Sequence, residues 1–146
     1  MSRAGRYGRQ LSLIMIDLDN FKDINDRHGH LKGDDVLREV AHTLTTNIRR
    51  YDETAILKEA ELDVASRYGG EEFVIILPET EPKGALVAAA RLRKAVEADV
   101  ASRTGLATAP HPPRVVTGSF GVTGFRKGEG ADAFIQRADE ATYQAK

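Results

Sequence analysis

Two pairs of acidic residues carry the chemical interest of this sequence: Asp17 with Asp19, and Glu71 with Glu72. Asp17 and Asp19 follow Leu11-Ser12-Leu13-Ile14-Met15-Ile16, an apolar run without clean alternation, which reads as a strand covered on both faces. Two residues apart on a continuing strand, they point the same way. Close carboxylates repel, and a divalent cation bound by oxygen ligands is the common remedy. Asp17 is assigned to such an ion. For Asp19 a second role, with Asp19 or Asn20 capping the next helix, has equal weight. Glu71 and Glu72 sit in Arg67-Tyr68-Gly69-Gly70-Glu71-Glu72-Phe73, which reads as a hairpin tip entering the buried strand Val74-Ile75-Ile76-Leu77, stopped by Pro78. Gly69 and Gly70 are expected to take positive φ, as a tight two-residue hairpin requires. Backbone can approach a ligand closely there. Alone, such a heptad is most often a solvated turn; the acidic pair near the N-terminus gives it chemical weight.

The bulk composition narrows the field. The chain has 146 residues, enough for one domain with a core, and is 41% hydrophobic and 29% charged, an ordinary globular balance. A net charge of −1 gives no broad cationic field for nucleic acid, so a polyanionic small ligand needs a metal or a few placed Lys and Arg. There is no cysteine, which excludes disulfides and thiolate metal sites and fits a reducing, cytoplasmic setting. No apolar run approaches the ~18 residues of a membrane span. Residues 1–10 are basic and glycine-rich and read as a flexible tail, followed by one domain over 11–146.

The elements that must position the acids follow from periodicity. A short helix is expected over Phe21 to Arg27, closed by Gly29. A second is expected from about Asp34 to Arg50, with Gly33 and Asp34 at its start. Val36, Leu37, Val40, Ala41, Leu44 and Ile48 form its core face. Asp34 and Asp35 suit the positive end of that helix, so a cap is the plainer role for Asp34. Leu62 to Arg67 reads as the hairpin's first strand. Thr80-Glu81-Pro82 starts a helix that runs to about Ala101, burying Leu86, Ala89, Ala90, Leu92 (or Arg93) and Val96. Val115 to Val122 reads as a strand. Ala131 to Lys146 reads as the last helix, with Phe134, Ala138, Ala141 and Ala145 on one face. The order of strand, two helices, hairpin, helix, strand and helix predicts an α+β fold with helices on a mostly antiparallel sheet.

Five ordered motifs then carry a resemblance over about residues 11–146. They are Asp17-Leu18-Asp19-Asn20-Phe21-Lys22-x-x-Asn25-Asp26, Gly29-His30-x-x-Gly33-Asp34, the heptad at Arg67, Ser119-Phe120-Gly121-Val122, and Ala138-Asp139-Glu140-Ala141-x-Tyr143-x-Ala145-Lys146. Together they resemble the GGDEF family of diguanylate cyclases. The resemblance implies a palm-like, ferredoxin-like nucleotidyl cyclase fold. It implies an enzyme that joins two GTP into cyclic di-GMP with release of two pyrophosphates. It assigns Mg²⁺, with Mn²⁺ as a substitute, to Asp17, the Leu18 carbonyl, Glu71 and Glu72. Glu71 and Glu72 are the catalytic pair, with Glu71 the family's usual general base for the ribose 3′-hydroxyl. A free carboxylate, with a pKa near ~4, is a poor base for a hydroxyl, so a metal that acidifies the hydroxyl shares that work. The backbone at Asn20, Phe21 and Lys22 matches the triphosphate loop at a helix N-terminus. Lys22 and Lys146 match phosphate partners, and Asn25 and Asp34 match the guanine readers, with His30 between them. A carboxylate accepts from the paired N–H donors of guanine that adenine lacks, so Asp34→Ser is expected to relax guanine preference. His28 and His42 read as ordinary helix or surface residues.

The chain also departs from the family pattern. Where the inhibitory product site carries Arg-x-x-Asp, this chain has Ala60-Glu61-Leu62-Asp63, so Asp63 remains and Ala60 stands in place of the motif's arginine. An alanine makes no bidentate contact, and product inhibition there is expected to be weak or absent. The stretches 49–61 and 103–113 look longer than usual, and the family's leading Leu-Thr-Gly-Leu-x-Asn-Arg-Arg-like segment is missing. The chain is therefore expected to be the catalytic domain of a larger sensor protein, whose other parts could be membrane-anchored. The partners implied are GTP and a second copy of the domain in a transient two-fold dimer, with no nucleic acid and no membrane contact. The alternative reading is a catalytically silent module that senses GTP or binds cyclic di-GMP; intact Asp17, Glu71 and Glu72 weigh against it.

Overall fold

The computed structural model describes residues 10–48 and 63–146. The tail expected at 1–10, except Gln10, and the stretch holding Ala60 and Glu61 lie outside the described residues. The described chain runs β1 (Leu11–Leu18), α1 (Phe21–His28), α2 (His30–Thr46), β2 (Val64–Arg67), β3 (Glu72–Pro78), α3 (Pro82–Thr104), a short 3-10 turn (Leu106–Thr108), β4 (Gly118–Gly124) and α4 (Ala131–Ala145). The four strands form one sheet in the order β2-β3-β1-β4, with every neighbouring pair antiparallel. This is the α+β layout that the order of elements predicts, in a ferredoxin-like arrangement.

β1 is the middle of the molecule because both its faces are apolar. Ile14, Ile16 and Leu18 join Phe73, Ile75 and Leu77 of β3 in the larger core, against α2 and α3. Leu11, Leu13 and Met15 point the other way, into a smaller core with Phe134 and Ala138 of α4. Each such side chain taken out of water is worth roughly 1.5–3 kcal/mol, and a one-residue slip would exchange the two faces, so the register is strongly held. Asp17 and Glu72 are the outermost members of the α4-side rows. The β1–β3 register sets them directly opposite each other.

Two close approaches seat the helices. Gly121 of β4 lies under α4: a Cβ there would stand 2.5 Å from Thr142 Oγ1 and 2.7 Å from the Ala138 carbonyl. Thr142 Oγ1 donates to the Met15 carbonyl at 3.3 Å. These contacts bring the end of α4 down to the exit of β1. On the other side, Lys32 donates to the Thr104 carbonyl at 2.5 Å, tying the start of α2 to the last turn of α3.

Several boundaries differ from the sequence reading. α2 begins at His30 rather than near Asp34, because Gly29, at φ 89°, already ends α1 and lets the chain turn directly into the next helix. Asp34 is thus inside the helix and no cap. β4 starts at Gly118 rather than Val115, and Val115 is exposed. α3 continues to Thr104 and buries Ala85, Leu92, Val96 and Val100, while Leu86 faces solvent. On α4 the residue buried with Phe134 and Ala138 is Thr142, while Ala141 is half-buried and Ala145 exposed. No helix among the described residues is long and apolar enough to cross a membrane.

Candidate functional site

The site forms where β1 and β3 end together. Asp17 faces Glu72 on β3 and Ser119 on β4. Like charges directly opposite on neighbouring strands are destabilising, so this pair needs a counter-charge. In the structure Lys146, past the end of α4, supplies one: its Nζ donates to Asp17 Oδ2 at 2.7 Å. The other oxygen, Asp17 Oδ1, is buried with no hydrogen-bond partner. Glu71 lies beside them, its carbonyl accepting from the Leu18 N–H at 3.2 Å. Asp17 and Glu71 thus belong to the same corner of the sheet, as a shared ion requires.

The electrostatics show how crowded this corner is. Burial raises the pKa of Glu72 above its ordinary value, and the charges of Asp17, Asp139 and Glu71 raise it further, with Lys146 opposing them. The pKa of Lys146 is raised by its hydrogen bond to Asp17, against its own desolvation, and by the charges of Asp17, Asp19 and Glu71. One cation therefore already sits in the field of three carboxylates.

Oxygen donors with hard character and an orphaned carboxylate oxygen fit a divalent ion such as Mg²⁺. Among the described residues, however, no three acidic or imidazole groups are already arranged as a ligand set. The residues that would hold the ion are Asp17, through its unpartnered Oδ1, Glu71 and Glu72, with Lys146 on the other Asp17 oxygen.

Asp19 has a different fate. Its two oxygens accept from Thr117 Oγ1 at 2.8 Å and Ser119 Oγ at 2.7 Å, and its N–H bonds the Thr117 carbonyl at 2.9 Å. It is neither a helix cap nor an unpaired ligand; it ties the exit of β1 to β4. Asn20, in the left-handed region at φ 53°, precedes α1, and no side chain caps that helix. Asparagine tolerates this backbone because its short polar side chain bonds locally. α1 begins at Phe21, three residues after β1 ends at Leu18. Lys22 is exposed, and Phe21 is buried.

The hairpin tip is built differently from the tight turn that the glycine pair suggests. Neither Gly69 nor Gly70 takes positive φ. The last ladder pair is Arg67 with Phe73, and the Tyr68 and Gly69 N–H groups both bond the Glu72 carbonyl, at 2.8 and 3.2 Å. The loop is wider, so left-handed residues are not required. Instead the Arg67 guanidinium bonds the Gly69 and Gly70 carbonyls at 2.7–3.1 Å. Gly69 matters for space: a Cβ there would press on Glu72 Oε2 at 2.8 Å.

Two clefts flank this tip. One, about 310 Å³, lies on the α2 side and is lined by Asp34, Leu37, Arg38, Ala41, Arg67 and Phe73. The other, about 350 Å³, lies on the α4 side with Met15, Tyr68, Glu72 and Asp139 among its walls. The first joins an acidic side chain to apolar walls, as a purine pocket requires. Asp34 is thus brought to the hairpin, and Asn25 packs behind Gly33 on the same side. His30 is exposed at the first residue of α2. Asp63 stands just before β2, on the far edge of the sheet. Sequence reasoning missed the roles of Arg67, Thr117 and Ser119. The hydroxyls left no signal beyond their residue types, and Arg67 was visible only as the first residue of the heptad.

The family model for the diguanylate cyclase GGDEF domain matches residues 1–146. The chain is 37% identical over 146 residues to diguanylate cyclase DgcP of Pseudomonas aeruginosa, covering all of this chain and 19% of that protein. It is 40% identical over 149 residues to response regulator PleD of Caulobacter vibrioides, again over its whole length and 29% of the relative. Among solved structures, it is similar to diguanylate cyclase SiaD of Pseudomonas aeruginosa, seen in complex with its activator SiaC. That match has a TM-score of 0.78 at 34% identity, over 99% of this chain and 49% of the other. The active GGEEF domain of a diguanylate cyclase from Vibrio cholerae gives a TM-score of 0.72 at 32% identity, over 98% and 80%. The chain spans well under half the length of these two curated relatives. On sequence and fold together, this chain belongs to the diguanylate cyclase family of GGDEF domains.

Proposed function

We propose that this chain is a diguanylate cyclase catalytic domain that condenses two GTP into cyclic di-GMP, two copies facing each other across a two-fold axis. The observation that carries the proposal is the Asp17–Glu72 pair. Opposed carboxylates, one with a buried oxygen left without a partner, stand on the α4-side face at the hairpin tip, and the cleft walled by Asp34 and Phe73 opens on the α2 side of the same tip.

In this reading Asp34 accepts from the guanine N–H donors and Asn25 reads the mixed edge. His30 lies over the nucleotide, and the first N–H groups of α1, at Phe21 and Lys22 behind Asn20, cradle phosphates. The Lys22 and Lys146 ammonium groups neutralise phosphate charge. Asp17, the Leu18 carbonyl, Glu71 and Glu72 would hold Mg²⁺, or Mn²⁺ in its place, which would supply charge neutralisation at the reacting phosphoryl group. The 3′-oxygen of each GTP, in two successive steps, forms a bond to the α-phosphorus of the other, which closes the ring and releases two pyrophosphates. In each step the bond from that phosphorus to pyrophosphate breaks, and the hydroxyl proton passes to Glu71. Arg67 keeps Glu71 in place by bonding the turn carbonyls before it. Since the relatives are much longer, a regulatory or sensor domain elsewhere in the parent protein is part of the proposal. With Ala60 in place of the arginine, the site at Asp63 confers little product inhibition.

The test is turnover by concentrated domain with GTP and Mg²⁺, the product identified by mass. Cyclic di-GMP is expected, with activity rising steeply with protein concentration. Glu71→Gln is expected to lower the rate by at least ~10²-fold, the scale of a lost proton acceptor and metal ligand, without loss of fold. Tight GTP binding with no cyclic product at any protein concentration would move the chain to the binding-module reading.

A further inference from the structure

We propose that Gly33 is a positioning residue for base recognition: its missing side chain is the space that the Asn25 amide occupies. The inference rests on the reading of Asn25 and Asp34 as guanine readers, and adds a residue that does not touch the nucleotide.

Gly33 sits in the first turn of α2, its N–H bonded to the Gly29 carbonyl at 3.1 Å. Its φ is not positive, so any residue could adopt this backbone. Glycine inside a helix costs ~1 kcal/mol relative to alanine, and here no conformational need explains it. The reason is the neighbour. A Cβ at position 33 would overlap Asn25 Oδ1, and it would stand 3.0 Å from Asn25 Cγ and 3.3 Å from Phe21 Cζ. By contrast, Gly29 and Gly128, which do have positive φ, would meet nothing within 4 Å.

No hydrogen bond among the described residues holds the Asn25 amide. Packing against Gly33 is therefore what places it. The next residue, Asp34, lines the cleft. A methyl group at position 33 has an inexpensive escape: the amide swings off its place while both helices stay. That outcome preserves the fold and changes what the pocket reads.

The experiment measures GTP and ATP affinity by displacement of a fluorescent GTP analogue, with Mg²⁺, for the parent, Gly33→Ala, Asn25→Ala and the double variant. Gly33→Ala is expected to lower the GTP-over-ATP preference ~10-fold, the scale of one polar contact to the base. The double variant should lose no more than Asn25→Ala alone, because both changes remove one interaction. Unchanged preference in Gly33→Ala overturns the inference, as do additive losses in the double variant. If Gly33→Ala does not fold, the double variant must, since it lacks the overlapped amide; failure of both also overturns it. A parent that binds ATP as tightly as GTP removes the guanine reading and this inference with it, an outcome distinct from the others.

Discussion

Glu129 and Glu72 are the same residue type with opposite electrostatic fates. Glu129, in the loop between β4 and α4, accepts from the Arg137 guanidinium and from the Arg126 N–H. The Arg137 hydrogen bond is the main reason its pKa lies below the ordinary value. Arg137 also bonds the Gly124 carbonyl and lies over the Phe134 ring, so the pair staples the loop to the helix. Glu72 is half-buried and faces Asp17, with Asp139 close by, and desolvation and these charges raise its pKa. The two aspartates at the end of β1 repeat the contrast. Asp19 has a hydroxyl for each oxygen, whereas Asp17 has a lysine on one oxygen and nothing on the other. An acid with its partner built in holds the fold together. An acid set against other acids costs stability until a counter-charge arrives, which is the pattern expected of a functional site.

The contrast can be broken by experiment. The largest difference should come from the missing counter-charge. Mg²⁺ at a hundredfold excess over its dissociation constant should stabilise the parent by about 2.7 kcal/mol and Asp17→Asn hardly at all, read by thermal unfolding. Equal stabilisation of both would mean that Asp17 is no ligand.

Next in size is the structural acid. Glu129→Gln should lose roughly 1.5–3 kcal/mol in urea unfolding, the scale of hydrogen bonds to a charged group, and keep its Mg²⁺ response. Because the folded pKa of Glu129 is depressed, its contribution is fully present above the ordinary value near 4.5. It is lost as pH falls through the depressed folded value, so parent and variant should converge in acid. A variant that loses its Mg²⁺ response would erase the distinction between the two glutamates.

Smallest is the ion pair at Asp17. The Lys146 side chain is 42% exposed, so Lys146→Gln should change stability by only ~0.2–1 kcal/mol while depressing turnover. A large loss of stability with intact turnover would make Lys146 a structural residue.

The acids at Asp17, Glu71 and Glu72 were legible because a strand ending in carboxylates and a glycine turn followed by carboxylates are both poor ways to build a core. The strands and helices were legible from the periodicity of their apolar residues. Boundaries shifted where a local signal had two meanings. Gly33 and Asp34 look like a helix start, yet Gly29 had already turned the chain and Gly33 was there to leave room for Asn25. The glycine pair at 69 and 70 looks like a left-handed turn, yet the loop is wider and Arg67 holds its carbonyls.

By itself the sequence determined which segments bury, in which order they come, and that two carboxylate pairs had to be accommodated. Apolar periodicity and charge are properties of a short stretch of chain, and each can be read locally. Only the tertiary structure decided which acid is satisfied and which is not. Asp17 and Asp19 are equivalent along the chain, and they differ because Thr117 and Ser119, about a hundred residues away, reach one of them and Lys146 reaches the other. Hydrogen bonds and Coulomb forces act over a few ångströms in space, and the neighbours at that range are chosen by the sheet register and the seating of α4 on Gly121.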